Sequence, residues 1–148
     1  MDIRAFRIED EPAVISLWEQ CGLVRSWNDP RKDIERKLRV GAELFLVGVV
    51  NDRVVATVMA GYEGHRGWIN YLAVAPETQR TGLGREIMNE AERRLRAAGC
   101  PKINLQVRGD NHGAVDFYRA LGYVPDDVVS MGKRLETDEG EAHMNPDA

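Results

Sequence analysis

Apolar residues recur along this 148-residue chain with two periods, and the switches between the periods mark out its elements. Asp2 to Arg7 alternates and reads as a first strand. Val14, Leu17, Trp18 and Cys21 then fall at i, i+3, i+4 and i+7, one face of a helix. Asp10 is placed to cap that helix and Pro12 sits in its first turn, with Gly22 as its stop. A second cap-plus-proline pair, Asp29-Pro30, opens a helix to about Val40 with a thin stripe of Ile34 and Leu38. Leu44 to Val50 is almost continuously apolar and β-rich, as a strand covered on both faces must be. Asn51-Asp52 is a turn signal, so Val54 to Tyr62 returns as its hairpin partner. Glu63-Gly64-His65-Arg66-Gly67 turns the chain again into a strand from Trp68 to Val74.

That strand runs into Gln79-Arg80-Thr81-Gly82-Leu83-Gly84, and a helix with Leu83, Ile87, Ala91 and Leu95 on one face runs out. Two glycines at a helix start let the backbone turn tightly and approach a ligand. The first-turn N–H groups have no partner inside the helix, and with the helix dipole they form a seat for a phosphate. Gly99 caps this helix, with Pro101 beyond, and Ile103 to Val107 is a short strand, parallel to the Trp68 strand if the crossover is the usual one. After Asn111 a short helix carries Ala114, Phe117, Tyr118 and Leu121 on one face and stops at Gly122. Tyr123-Val124 and Val128 to Leu135 read as a closing strand pair. From Glu136 the chain is acidic with almost no apolar residues, so residues 1–136 read as one domain and 137–148 as a flexible acidic tail. No internal repeat is present.

Composition narrows the class. A hydrophobic content of 43% and a charged content of 30% describe an ordinary soluble globule with a real core. No apolar run reaches the ~20 residues that span a bilayer, so no membrane partner is expected. Met1 to Arg7 lacks the apolar core of a signal peptide, which points to the cytoplasm. A net charge of −4 gives no general attraction to nucleic acid. Arg80, Arg85, Arg93, Arg94 and Arg96 cluster on or beside the glycine-loop helix, most of them as a solvated face. Cys21 and Cys100 read as free thiols. His65, His112 and His143 are isolated, and no His/Cys cluster has metal-ligand spacing, so no metal is expected.

The glycine loop, with Leu-Ala-Val-x-Pro before it and a long amphipathic helix after it, resembles the acetyl-CoA signature of the GNAT superfamily of N-acetyltransferases. Asn111, Phe117-Tyr118 and Leu121-Gly122-Tyr123 are similar to its second signature, and Met131-Gly132-Lys133-Arg134-Leu135 to its closing strand. The element order β-α-α-β-β-β-α-β-α-β-β is also that of the superfamily, over residues 2–135. Within it, Trp27-Asn28-Asp29-Pro30 and Gly61 to Gly67 resemble the small bacterial YpeA-type acetyltransferases. The resemblance implies an α/β (α+β) fold, the GNAT acyl-CoA N-acyltransferase fold, with a central mixed sheet of about seven strands. It implies acetyl-CoA as co-substrate, a small-molecule or peptide amine as acceptor, and a homodimer as one option for assembly.

Carried over residue by residue, the resemblance gives Leu72, Ala73 and Val74 to the pantetheine arm. It gives Gln79, Arg80, Thr81, Gly82, Leu83, Gly84 and Arg85 to the pyrophosphate. Tyr118 matches the family's tyrosine beside the CoA sulfur and so the general acid, whereas helical spacing alone makes it a core residue shared with Ala114 and Leu121. Asn111 caps its helix and, by resemblance, also meets the pantetheine arm. The family's strand carboxylate has no counterpart among Trp68, Ile69, Asn70 and Tyr71. That leaves Glu63 and His65 as water-relayed bases or as plain solvated turn residues. Trp27, Asn28, Glu63, His65 and Asn70 are the candidates for the acceptor site, Trp27 as lid or as plug. Two functions remain open: an acetyl-CoA-dependent N-acetyltransferase, or a catalytically silent acyl-CoA-binding module acting as sensor or interaction subunit. A Rossmann enzyme fits poorly, because Gly-x-Gly-x-x-Gly is absent and hairpin strands precede the loop.

Overall fold

The computed structural model describes residues 1–138. Five strands form one sheet in the order β1-β2-β3-β4-β5: β1 (Asp2–Ala5), β2 (Phe45–Val50), β3 (Arg53–Tyr62), β4 (Gly67–Val74) and β5 (Ile103–Leu105). β1 to β4 pair antiparallel, and β5 joins β4 in parallel after a helical crossover. Helices α1 (Glu11–Gln20) and α2 (Pro30–Gly41) cover one face, α3 (Leu83–Ala97) and α4 (His112–Ala120) the other. No described helix is long and apolar enough to cross a membrane.

The two faces have separate cores. Phe45 and Val47 of β2 pack with Val14, Leu17, Trp18 and Ile34, while Leu46 packs with Ile87, Met88, Ala91 and Leu95. The unbroken apolar run of β2 therefore serves both layers. Asn51 and Asp52 form the two-residue β2–β3 turn with φ of 50° and 61°, the left-handed pair such hairpins require. Asp29 caps α2 by accepting from the backbone N–H of Arg31 at 2.9 Å. Gly99, at φ 92°, follows the end of α3.

Two expectations are corrected. Asp10 does not cap α1 with its side chain. Its carboxylate accepts from Arg4 Nη1 and Nη2 at 2.7 and 2.9 Å and from the Arg7 backbone N–H at 2.8 Å. It thus closes a 3₁₀ turn (Ile8–Asp10) before the helix and ties it to β1. The sheet has five described strands and not about seven, because neither Tyr123-Val124 nor the described 128–135 stretch forms a strand. Pro125 lacks an N–H for a ladder. The segment meets β5 through side chains instead: Lys102 and Asn104 donate to Asp126, and Gln106 donates to Ser130. Val124, Val128, Val129 and Met131 stay exposed. Of the expected acidic tail, Asp138 has a buried side chain that pairs with the partly exposed Arg36; residues 139–148 lie outside the described residues.

The Arg4–Asp10 pair makes a pH prediction. The guanidinium beside it, and the Arg7 N–H, hold the Asp10 carboxyl below the usual carboxylate range despite burial. A depressed carboxyl contributes stability above its unfolded value of ~4, and that contribution fades as pH falls toward the folded value. Asp10→Asn is expected to cost about 1–3 kcal/mol at pH 7. The difference from wild type should shrink below pH ~4 in urea titrations; a constant difference across that range would show that charge is not what holds the turn.

Candidate active site

The site is built where β4 and β5 part. Their ladder runs only from Gly67↔Ile103 to Ile69↔Leu105, and β4 continues alone on that side to Val74. Against β3 the register moves from Thr57↔Ala73 to Met59↔Asn70, so β4 carries one extra residue opposite Val58. Tyr71 sits in this bulge at φ 52°. A bulky residue there costs on the order of 1–3 kcal/mol unless its surroundings hold it. They do. Its ring stacks on Trp18, centroids 3.8 Å apart. Its carbonyl accepts from Thr57 Oγ1 at 2.9 Å, and its hydroxyl donates to Asp33 Oδ2 at 2.6 Å. Burial and the Asp33 carboxylate both push the Tyr71 phenol upward, so it keeps its proton.

Beyond β4 the chain makes a 3₁₀ turn (Pro76–Thr78) and enters the glycine loop. Arg80 has φ 65° and Gly82 φ 89°, and Gly82 is the residue from which α3 starts. The first intrahelical bond runs from Glu86 N–H to Gly82 O at 3.0 Å. The N–H groups of Leu83, Gly84 and Arg85 therefore lie ahead of the ladder, with no partner inside the helix. Gly84 is needed for packing as well: a Cβ there would meet the Phe117 ring at 3.2 Å. Gln79 and Thr81 stay exposed and brace the loop locally, Gln79 Nε2 donating to Val74 O at 3.1 Å and Thr81 Oγ1 donating to Thr78 O. Arg85 reaches the carbonyl of Ala120 at 3.4 Å, tying the loop to the end of α4. Leu72 and Val74 pack toward the α3 core, and Ala73 toward the α1 core. Val74 O also accepts from Cys21 Sγ at 3.3 Å.

α4 begins at Asn111, whose side chain accepts from Ala114 N–H at 3.1 Å, a working cap. Tyr118, one turn from its end, packs edge-on against Phe117 and Tyr123. Its ring is half-buried, yet no described residue hydrogen-bonds its hydroxyl, and burial pushes the phenol up to about 12.

Asn111 and Tyr118 line an open groove of roughly 1850 Å³ that also takes in Tyr71, Leu72, Trp27, Asn28 and Asn70. Three of the five acceptor-site candidates, Trp27, Asn28 and Asn70, thus come together. Glu63 and His65 are not among the lining residues. Both are exposed, and the Glu63 carboxylate accepts from the backbone N–H groups of His65 and Arg66, which lowers its pKa and shapes the hairpin turn. Arg108 lies over the Trp27 ring, 5.9 Å from its centroid. The lining carboxylates are committed: Asp33 to Tyr71 and Arg36, Glu92 to Tyr123, Asp126 to Lys102 and Asn104.

Sequence reasoning missed four groups here. Asp33 and Arg36 look like a solvated helical charge run. Lys37 shares the buried face of α2 with Ile34, at i+3, and that spacing was the available signal. Its Nζ donates to Ala60 O beside Gly61, and burial lowers its pKa. Asp138, 105 residues after Asp33 by number, gave no signal at all.

Residues 8–123 match the family model described as "Acetyltransferase (GNAT) family". Several solved structures share the fold. Naa20 of Chaetomium thermophilum, in complex with a bisubstrate analogue, is 23% identical with a TM-score of 0.65, covering 82% of this chain and 70% of that one. The ribosomal-protein-S18-alanine N-acetyltransferase of Escherichia coli is 22% identical at TM-score 0.68, over 82% and 76%. An aminoglycoside acetyltransferase from an uncultured soil metagenomic sample is 20% identical at 0.71, over 91% and 96%. With the family model spanning most of the chain and the glycine loop, notch and α4 in place, this protein belongs to the GNAT acetyltransferase family.

Proposed function

We propose that the protein transfers the acetyl group of acetyl-CoA to a primary amine by direct attack, with Tyr118 as the general acid. The observation that carries this reading is the Tyr118 hydroxyl, half-buried in the groove and without a described hydrogen-bond partner. The hydroxyl is not sealed in the core, where a structural tyrosine would need a fixed partner, but is open to the groove and available to a ligand there. It also speaks against a silent acyl-CoA-binding module.

The amine nitrogen attacks the thioester carbon, the carbon–sulfur bond breaks, and the departing sulfur takes a proton. A phenol at about 12 is a weak acid. Against a free thiolate whose conjugate acid lies near 8.5, transfer runs uphill by roughly 5 kcal/mol. Tyr118 therefore acts while sulfur leaves the tetrahedral adduct, as a hydrogen-bond donor to the growing charge. The amine must lose its own proton before attack. The committed groove carboxylates supply no obvious base, so solvent takes that proton. This favours an α-amine, with pKa ≈ 7.7–8.0, over a lysine side chain near 10.4.

Binding is the first test. Millimolar acetyl-CoA is expected to raise the melting temperature, since it binds only the folded chain. Gly82→Asp should abolish the rise: a Cβ at Gly82 meets nothing within 4 Å, and aspartate tolerates its positive φ better than most residues. The same change at Gly84 would strike Phe117 and confuse charge with packing. An undiminished rise in folded Gly82→Asp would move the anion seat elsewhere.

Tyr118→Phe is expected to lower kcat by about 10²–10⁴-fold and leave acetyl-CoA affinity nearly unchanged. Unchanged kcat, with chemistry rate-limiting, would remove Tyr118 from the reaction. The wild-type pH profile supplies a second check. Because Tyr118 keeps its proton to about pH 12, kcat/KM should rise with deprotonation of the acceptor amine. It should show no fall up to about pH 10; a downturn near pH 8–9 would point to a different acid.

A further inference from the structure

We propose that Asp33, Arg36 and Asp138 are positioning residues for acetyl transfer, holding the β4 bulge through the Tyr71 hydroxyl. The inference rests on the reading above and takes the thioester to lie where β4 leaves β5, next to the residues given to the pantetheine arm.

The bulge places a bulky residue in a strained backbone conformation that side chains from other elements hold. Tyr71 lies in the left-handed region, and regular pairing with β5 has already stopped at Ile69. From the α1 side it is fixed by a closed set of contacts. Trp18 Nε1–H donates to Thr57 Oγ1 at 2.9 Å, and Thr57 Oγ1–H donates to the Tyr71 carbonyl at 2.9 Å. From the other end the Tyr71 hydroxyl is anchored on Asp33 of α2. Asp33 is held in turn by Arg36 Nη1 at 3.2 Å.

Arg36 does not end at solvent. Its Nη2 donates to Asp138 Oδ1 at 2.7 Å and its Nη1 to Asp138 Oδ2 at 3.2 Å. Asp138 Oδ2 also accepts from the backbone N–H of Asp29 at 2.9 Å, and the Asp138 side chain is 0% exposed. Its carboxyl is held near 2, chiefly by Arg36, so it stays ionised across the working pH range. The line Asp138–Arg36–Asp33–Tyr71 therefore joins the docked end of the C-terminal segment to the backbone that faces the reacting thioester. Arg134 fastens the same segment separately, donating to Trp27 O and Asn28 Oδ1. The segment thus keeps a second anchor when Asp138 is altered.

A surface ion pair would contribute to stability and nothing else. A positioning line makes two further demands. Loosening its far end must loosen the bulge, and the loss must appear in kcat and not in donor binding, because the geometry matters in the transition state. Links in one line must also fail to add.

The experiment uses the full chain with Asp138→Asn, Tyr71→Phe and the double variant, and Arg39→Ala as control, since Arg39 pairs with Glu35 on the exposed side of the same helix. Amide hydrogen exchange by NMR should be about tenfold faster at Tyr71 and Leu72 in Asp138→Asn, with Val58 across the ladder and the control unchanged. With an amine that wild type acetylates, kcat should fall about tenfold in each single variant and no further in the double, with KM for acetyl-CoA within about twofold. Unchanged exchange at Tyr71 and Leu72 in Asp138→Asn overturns the proposal even if activity falls. Faster exchange with unaltered kcat overturns it as well, and so does a double variant whose losses multiply. If wild type acetylates no amine, the proposed function falls, and the exchange measurement still judges whether Asp138 holds the bulge.

Discussion

One surplus residue in β4 governs the rest of the architecture. Side chains on a strand alternate with a period of two, so an extra residue exchanges the faces beyond it. Before the bulge, Ile69 packs into the α3 core; after it, Ala73 packs into the α1 core and Leu72 and Val74 turn toward α3. The same surplus puts Tyr71 on the α1 side, against Trp18, just past the last pair with β5. The change of face thus comes from one insertion, at the point where the notch opens. The cost is a non-glycine residue at φ 52°, which is stable only because three side chains from other elements hold it.

That constraint explains how the remaining pieces are placed. β4 must run on alone past Ile69, and it delivers the chain into a tight turn whose glycines start α3. Gly84 then lets Phe117 of α4 lie close against the start of α3. This contact, with Arg85 on the Ala120 carbonyl, ties the start of α3 to α4, the helix that carries Tyr118. Tyr118 is therefore aimed by packing and has its hydroxyl to spare.

The sequence made local signals legible and hid the long-range ones. Asn51-Asp52, Asp29-Pro30, Asn111 and Gly99 each carry a turn or cap with its own chemistry, and each forms as read. Asp10 carries the same cap signal, but Arg4, six residues upstream, captures its carboxylate first. The closing strands failed for a related reason. Val128 to Leu135 has the composition of a strand, but β5 offers only three residues to pair with, and the segment binds it through Asp126 and Ser130. The bulge had no glycine or proline to announce it, because tertiary contacts impose it. The link from Asp33 to Tyr71 spans 38 positions, and no periodicity reaches that far.

The groove follows the same logic of committed groups. Asp33 and Asp126 are both taken up in internal bonds, and the groove lining also carries the amides Asn28, Asn70, Asn104 and Gln106 beside Arg25, Arg36, Lys37 and Arg108. Asn104 Oδ1 is buried without a hydrogen-bond partner among the described residues, an acceptor waiting for an N–H. A free carboxylate in this position would bind the ammonium form of an incoming amine and raise its pKa. It would hold the amine in the state that cannot attack. Neutral amides can orient the same nitrogen without favouring its charge. Under the proposed reaction, a groove whose carboxylates are spent would suit a nucleophile that must arrive uncharged.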